Sequence, residues 1–151
     1  ICVLRPKSVG SVKLADANPN SPPLIDPAFL KDERDLDTML AGVKQAQQIM
    51  QAPSFDAHRG KALYAGASND DEELKEDIRN RADTIYHPVG TCKMGPDSDP
   101  NAVVDQRLRV RGIKSLRVID ASIMPKIVSG NTNAPSIMIG EKGAHMILED
   151  A

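Results

Sequence analysis

Aromatic residues are nearly missing from this 151-residue chain: two Phe, two Tyr and no Trp, 3% in all. A chain of this length can bury a real core. Here that core must come from Leu, Ile, Val, Met and Ala, within a hydrophobic fraction of 40%. Cysteine is equally scarce. Cys2 and Cys92 form no C-x-x-C, so neither a disulfide framework nor a zinc cage is indicated. Reduced thiols and a cytoplasmic setting are the expectation. Positive charge is not in surplus either, since the formal charge is −2, whereas a general nucleic-acid binder carries a basic excess. No apolar run approaches the roughly 20 residues that cross a bilayer as a helix. The chain starts at Ile1 with no initiator Met and no signal-peptide pattern. Its opening, ICVLRPKSVGSVKL, reads as a strand entered midway, so a piece of a longer or processed protein is expected.

What is present is patterned. Val9, Val12 and Leu14, with Gly10 between small polar residues, predict a strand or hairpin arm. Asn18 to Pro27 is dense in Pro and Asn and reads as an ordered loop. Asp32 is a natural N-cap, with Glu33 and Asp35 in the turn where a helix dipole favours acids. Leu36, Met39, Leu40, Val43, Ala46 and Met50 follow at helical spacing until Pro53. A second helix is expected near Ser68, carrying acids at Asp70 to Glu73 and burying Leu74, Ile78 and Ala82.

From Thr84 the character changes. IYHPVGTCKMG reads as a strand plus a tight turn. VVDQRLRVRG alternates Arg107, Arg109 and Arg111 with Leu108 and Val110, the pattern of a half-buried strand ending at Gly112. Leu116 to Asp120 reads as a short buried strand. A last helix is expected with Asn133 as N-cap and Pro135 in its first turn. Its inward stripe would be Ile137, Gly140, Ala144, Ile147 and Leu148, with Gly140 and Gly143 permitting close approach. Helices and strands mix without a regular βαβ alternation, which makes the class α+β.

Few residues carry chemistry. A lone histidine in a loop is ordinarily a surface group, but His87 lies between Tyr86 and Pro88, with Gly90 close by. Pro88 fixes the following backbone and Gly90 permits tight approach, which would hold the ring in place. An imidazole can take and return an alcohol's proton near neutral pH. Cys92 suggests a Cys/His nucleophile pair, but a small buried apolar role is the simpler reading, because thiolate activation needs geometry that proximity in sequence does not supply. Asp97 to Asn101 begins like an EF-hand loop. Ala102 and Leu108 stand where that loop needs Gly and Glu, so it is a solvated turn and no metal is expected. The arginine row is most simply an exposed strand face. Gly130 to Pro135 puts two amides and a threonine at a helix start, where free N–H groups and partial positive charge suit an anion or a developing negative charge.

Five segments in order resemble the C-terminal region of the glucose–methanol–choline (GMC) flavoprotein oxidoreductases, in particular the choline-dehydrogenase branch. They are LRPKSVGSVKL, PPLIDPAFLKDERDLDTMLAGVK, YHPVGTCKMG, VVDQRLRVRGIKSLRVIDASIMP and SGNTNAPSIMIGEKGA, and they span essentially the whole chain. The resemblance implies that residues 1–151 are a substrate-domain segment, of which about 114–151 also contributes to an FAD-binding domain. A mixed or antiparallel sheet with flanking helices is implied, together with a strand and helix that complete the cofactor domain. It implies His87 as the active-site histidine and Asn131 as its partner. Asp120 and Ala121 would lie against the flavin, with Thr132 and Asn133 near its pyrimidine end. Tyr86 is the aromatic best placed to wall a pocket for a quaternary ammonium. FAD is the implied cofactor and a small alcohol the substrate. The N-terminal FAD-binding region of the same polypeptide is the implied partner, and a homo-oligomer is compatible with a split flavin site. No G-x-G-x-x-G fingerprint is present, so this stretch alone is expected to bind FAD poorly and not to turn over. A non-catalytic protein-binding module is the alternative, and a Cys92–His87 hydrolase a third reading.

Overall fold

Asp32 starts the first helix as its residue type dictates: it accepts a hydrogen bond from Arg34 N at 3.1 Å, and the helix α1 runs over Glu33–Met50. In this computed structural model, which describes residues 1–151, the chain divides into two units, Ile1–Ile85 and Tyr86–Ala151. In the first, the Arg34 guanidinium beside Asp32 holds that carboxyl at about 2. Helix α2, Asp71–Arg81, begins at Asp70, which accepts from the amides of Glu72 and Glu73. Leu36 and Leu40 of α1 pack on Leu74 and Ile78 of α2, with Leu30, Met39, Val43 and Ala65 around them. Strands β1, Ser11–Lys13, and β2, Leu24–Asp26, pair antiparallel with Val12 opposite Ile25. The end of the expected 18–27 loop is therefore a strand. The ribbon needs Gly10, because a Cβ there would lie 2.2 Å from Asp26 O.

The second unit has one long helix, α3, Asn133–Glu149, and a short 3-10 turn, Ala121–Ile123. Val104, Leu108, Ile123, Met124 and Ile139 form its core. The expected strands within 85–95, 103–112 and 116–120 do not form. In their place are single bridges, Met94 to Val104, Val104 to Val110 and Arg109 to Arg117. The cause is local. Asp105 accepts from the amides of Arg107 and Arg109 and Leu108 takes a left-handed φ of 63°, so this stretch turns where a strand would run straight. Leu116 is exposed.

The arginine row is not a bare solvent face. Arg107 donates to Met146 O, Glu149 and Asp150, Arg109 and Arg117 also reach Asp150, and Arg111 reaches Asp97 and Gly95 O. The inward face of α3 is Ile139 and Gly143, not the expected stripe: Ile137 and Leu148 are exposed. The whole is a small α+β fold with a two-stranded antiparallel sheet and three α-helices. No helix is long and apolar enough to cross a membrane.

Candidate active site

Two backbone hydrogen bonds pin the His87 loop. Cys92 N donates to Ser122 O at 3.0 Å and Met94 N to Ile123 O at 2.7 Å, which lays residues 92–94 along the Ala121–Ile123 turn. Gly90, at a φ of 88°, makes the bend between His87 and those contacts. Asp120 in turn caps the 121–123 turn, its carboxylate accepting from Ser122 N at 2.7 Å. The chain then passes through Ser129, at a φ of 46°, into α3. Asn131 and Thr132 arrive at the half-buried His87 ring from this side.

Both ring nitrogens are engaged. His87 Nε2 lies 3.1 Å from Asn131 Oδ1, and His87 Nδ1 lies 3.0 Å from Thr132 Oγ1. Asn131 Oδ1 only accepts, so it serves Nε2 when that nitrogen is protonated, as in a ring that has taken up a proton, while a hydroxyl can serve Nδ1 as donor or acceptor. Residues 44 apart in sequence are thus brought onto one imidazole. Cys92 is not a partner of either nitrogen, which removes the geometric basis for a Cys92–His87 nucleophile pair. Helix α3 begins one residue earlier than expected. Thr132 is its cap, Asn133 is its first helical residue, and the Thr132 side chain makes no capping hydrogen bond.

The family model described as GMC oxidoreductase matches residues 6–140. This chain belongs to the GMC oxidoreductase family. It is 53% identical over 149 residues to an alcohol dehydrogenase [acceptor] of Pseudomonas putida, covering 98% of the chain and 27% of that protein. To mitochondrial choline dehydrogenase of Homo sapiens it is 48% identical over 145 residues, covering 95% and 24%. Among solved structures it is similar to pyridoxine 4-oxidase from Mesorbium loti, with 33% identity, a TM-score of 0.88, and coverage of 97% of this chain and 28% of that one. Formate oxidase of Aspergillus oryzae, studied for FAD modification, gives 29% identity, a TM-score of 0.83, and coverage of 98% and 26%. The chain thus spans about a quarter of the length of the relatives it matches.

Within this GMC segment, Tyr86, His87, Asp120, Ala121, Asn131, Thr132 and Asn133 all fall in the Tyr86–Ala151 unit. The structure joins His87, Asn131 and Thr132 directly. Asp120 and Ala121 belong to the turn that supports the His87 loop, and Asn133 is exposed at the start of α3. Tyr86 is 76% exposed with a left-handed φ of 61°, a conformation a bulky residue rarely adopts. The first turn of α3, to whose amides the Thr132 side chain does not bond, the polar side chains beside it and the half-buried imidazole fit a polar-edged ring such as that of FAD. The contact of Thr132 with Nδ1 was not legible in the sequence; the signal was its adjacency to Asn131.

Other features of the unit make weaker sites. A groove of about 590 Å³ runs past Arg109, Arg111, Lys114, Arg117 and Asp150, and none of its lining residues belongs to the His87 cluster. Its arginines are paired, Arg109 and Arg117 with Asp150 and Arg111 with Asp97, and the Arg109 guanidinium foremost holds the Asp150 carboxyl below its usual value, against the opposing effect of burial. Asp99 accepts from Lys93 Nζ at 2.7 Å and Asn101 N at 2.9 Å, as a turn residue does.

Proposed function

We propose that this segment supplies the proton-handling side of an FAD-dependent alcohol oxidoreductase of the choline-dehydrogenase type. The observation that carries the reading is the 3.1 Å approach of His87 Nε2 to Asn131 Oδ1 in a chain of the GMC family. When bound, FAD supplies a two-electron acceptor whose N5 takes the hydride from the alcohol carbon. An alcohol carbon gives up hydride readily only as its hydroxyl proton leaves. His87 is the group that takes this proton at Nε2, while the O–H electron pair forms the second bond of the carbonyl. General-base assistance of this kind contributes about 10²–10⁴ in rate. Asn131 orients the hydroxyl through its amide without titrating. The first-turn amides of α3 favour negative charge next to them.

Asp120, Ala121, Thr132 and Asn133 would line the cofactor side, and Tyr86 would wall the substrate pocket. The exposed Ile137, Met138 and Leu148 of α3 would be open to a further contact, with the FAD-binding region of the same polypeptide. On this reading the segment by itself retains FAD poorly and does not turn over.

The test is His87→Ala in the complete flavin-loaded enzyme, followed by anaerobic rapid mixing with alcohol. Flavin reduction should slow by about 10²–10⁴. An unchanged rate removes His87 as the base. Asn131→Ala should reduce turnover more than flavin content, and the opposite order would make Asn131 a cofactor ligand.

A further inference from the structure

A threonine at a helix start ordinarily turns its hydroxyl onto a first-turn amide. Thr132 makes no such bond. Its Oγ1 lies instead 3.0 Å from His87 Nδ1, although Asn131 already serves the other side of the same ring. We propose that Thr132 is a positioning residue that orients the His87 imidazole and gives its Nδ1–H an acceptor through this contact. The proposal rests on the reading of His87 as proton acceptor.

Donors and acceptors decide what the ring can do. To take a proton at Nε2, the neutral ring must carry its own proton on Nδ1. That N–H needs an acceptor, and Thr132 Oγ1 is the atom within reach. Once the alcohol's proton has moved to Nε2, the ring has two N–H groups. Asn131 Oδ1 accepts from the new one, and Thr132 Oγ1 goes on accepting from the old. The Nδ1–H bond to Thr132 therefore persists through the step, while Nε2 changes from acceptor to donor. Without the hydroxyl, the Nδ1–H loses its acceptor while Asn131 Oδ1 can still accept at Nε2, so a larger share of rings would present a protonated Nε2 to the alcohol. This gives the side chain of Thr132 a different task from contact with the cofactor.

Thr132→Val removes the hydroxyl and keeps the shape, and Thr132→Ser keeps the hydroxyl. In the complete flavin-loaded enzyme with ¹⁵N-labelled histidine, the ring nitrogens of His87 are identified by their loss in His87→Gln. The expected result is that Thr132→Val moves the Nδ1 resonance and lowers kcat about tenfold or more, with KM and flavin content little changed, and that Thr132→Ser restores both. A resonance and kcat unmoved by Thr132→Val would overturn the proposal. Loss of flavin in Thr132→Val with the His87 spectrum intact would also overturn it, in favour of a cofactor contact. If His87→Gln leaves flavin reduction intact, it is the proton-acceptor reading that fails, and that outcome is separate from either result at Thr132.

Discussion

The carboxylate of Asp35 receives Lys7 N at 2.8 and 3.1 Å and Ser8 N at 2.8 Å, and the residue is only 3% exposed. Burial pushes its carboxyl up, but the bonds from Ser8 and Lys7 outweigh that and hold it below 3.8. A carboxyl held lower in the folded than the unfolded chain adds stability that is complete above the unfolded value and is lost as pH falls through the folded one. Asp35→Ala leaves two amides without their acceptor and should cost about 1–3 kcal/mol at pH 7. The gap to the parent should narrow at pH 3, and thermal unfolding at the two pH values reads it. A gap of equal size at both would contradict the assignment. In the sequence, Asp35 was legible only as an acid in the first turn of a helix. Its real partners lie 28 and 27 residues upstream, and no local pattern announces them. The same holds for His87, which periodicity alone leaves as one more loop histidine. Only the order of five family-like segments paired it with Asn131.

Helix α3 is set by contacts at its middle and both ends. Thr132 and Asn131 at the amino end meet His87. At the other end the helix has no basic residue in its last turn, and Arg107 from the preceding loop supplies the charge, donating to Met146 O where the helix dipole favours a cation. In the middle, a Cβ on Gly143 would lie 2.4 Å from Ile119 Cγ2, whereas one on Gly140 would meet nothing within 4 Å. Gly143→Ala should therefore cost about 1–3 kcal/mol through overpacking. Gly140→Ala should stabilise by up to about 1 kcal/mol through helix propensity. Chemical denaturation of the two variants separates them, and equal effects would mean that Ile119 gives way freely. The existence of α1, α2 and α3 was legible because caps and 3.6-residue spacing are local signals. The phase of α3 was not, because Ile139 and Gly143 face inward through the position of Ile119 and Ile123. The strands at 103–112 and 116–120 misled for a related reason: alternation describes a ladder only where a neighbouring strand exists, and Asp105 folds this stretch into a turn.

At the scale of the whole chain, the α+β class and the GMC family were legible, whereas the division into Ile1–Ile85 and Tyr86–Ala151 was not. The change of character at Thr84 marks the place, but that division itself depends on which contacts are dense, which the sequence alone does not state. It also concentrates function: one unit holds every candidate site residue, and the other is organised by the α1 and α2 core. The central claim is that His87 and Asn131 act as a single proton-handling device. A double-mutant cycle on the rate of flavin reduction tests it most directly, using His87→Ala, Asn131→Ala and both together in the complete enzyme. The predicted coupling is about 1–3 kcal/mol, with the double variant scarcely slower than His87→Ala alone. Losses that simply multiply would contradict it.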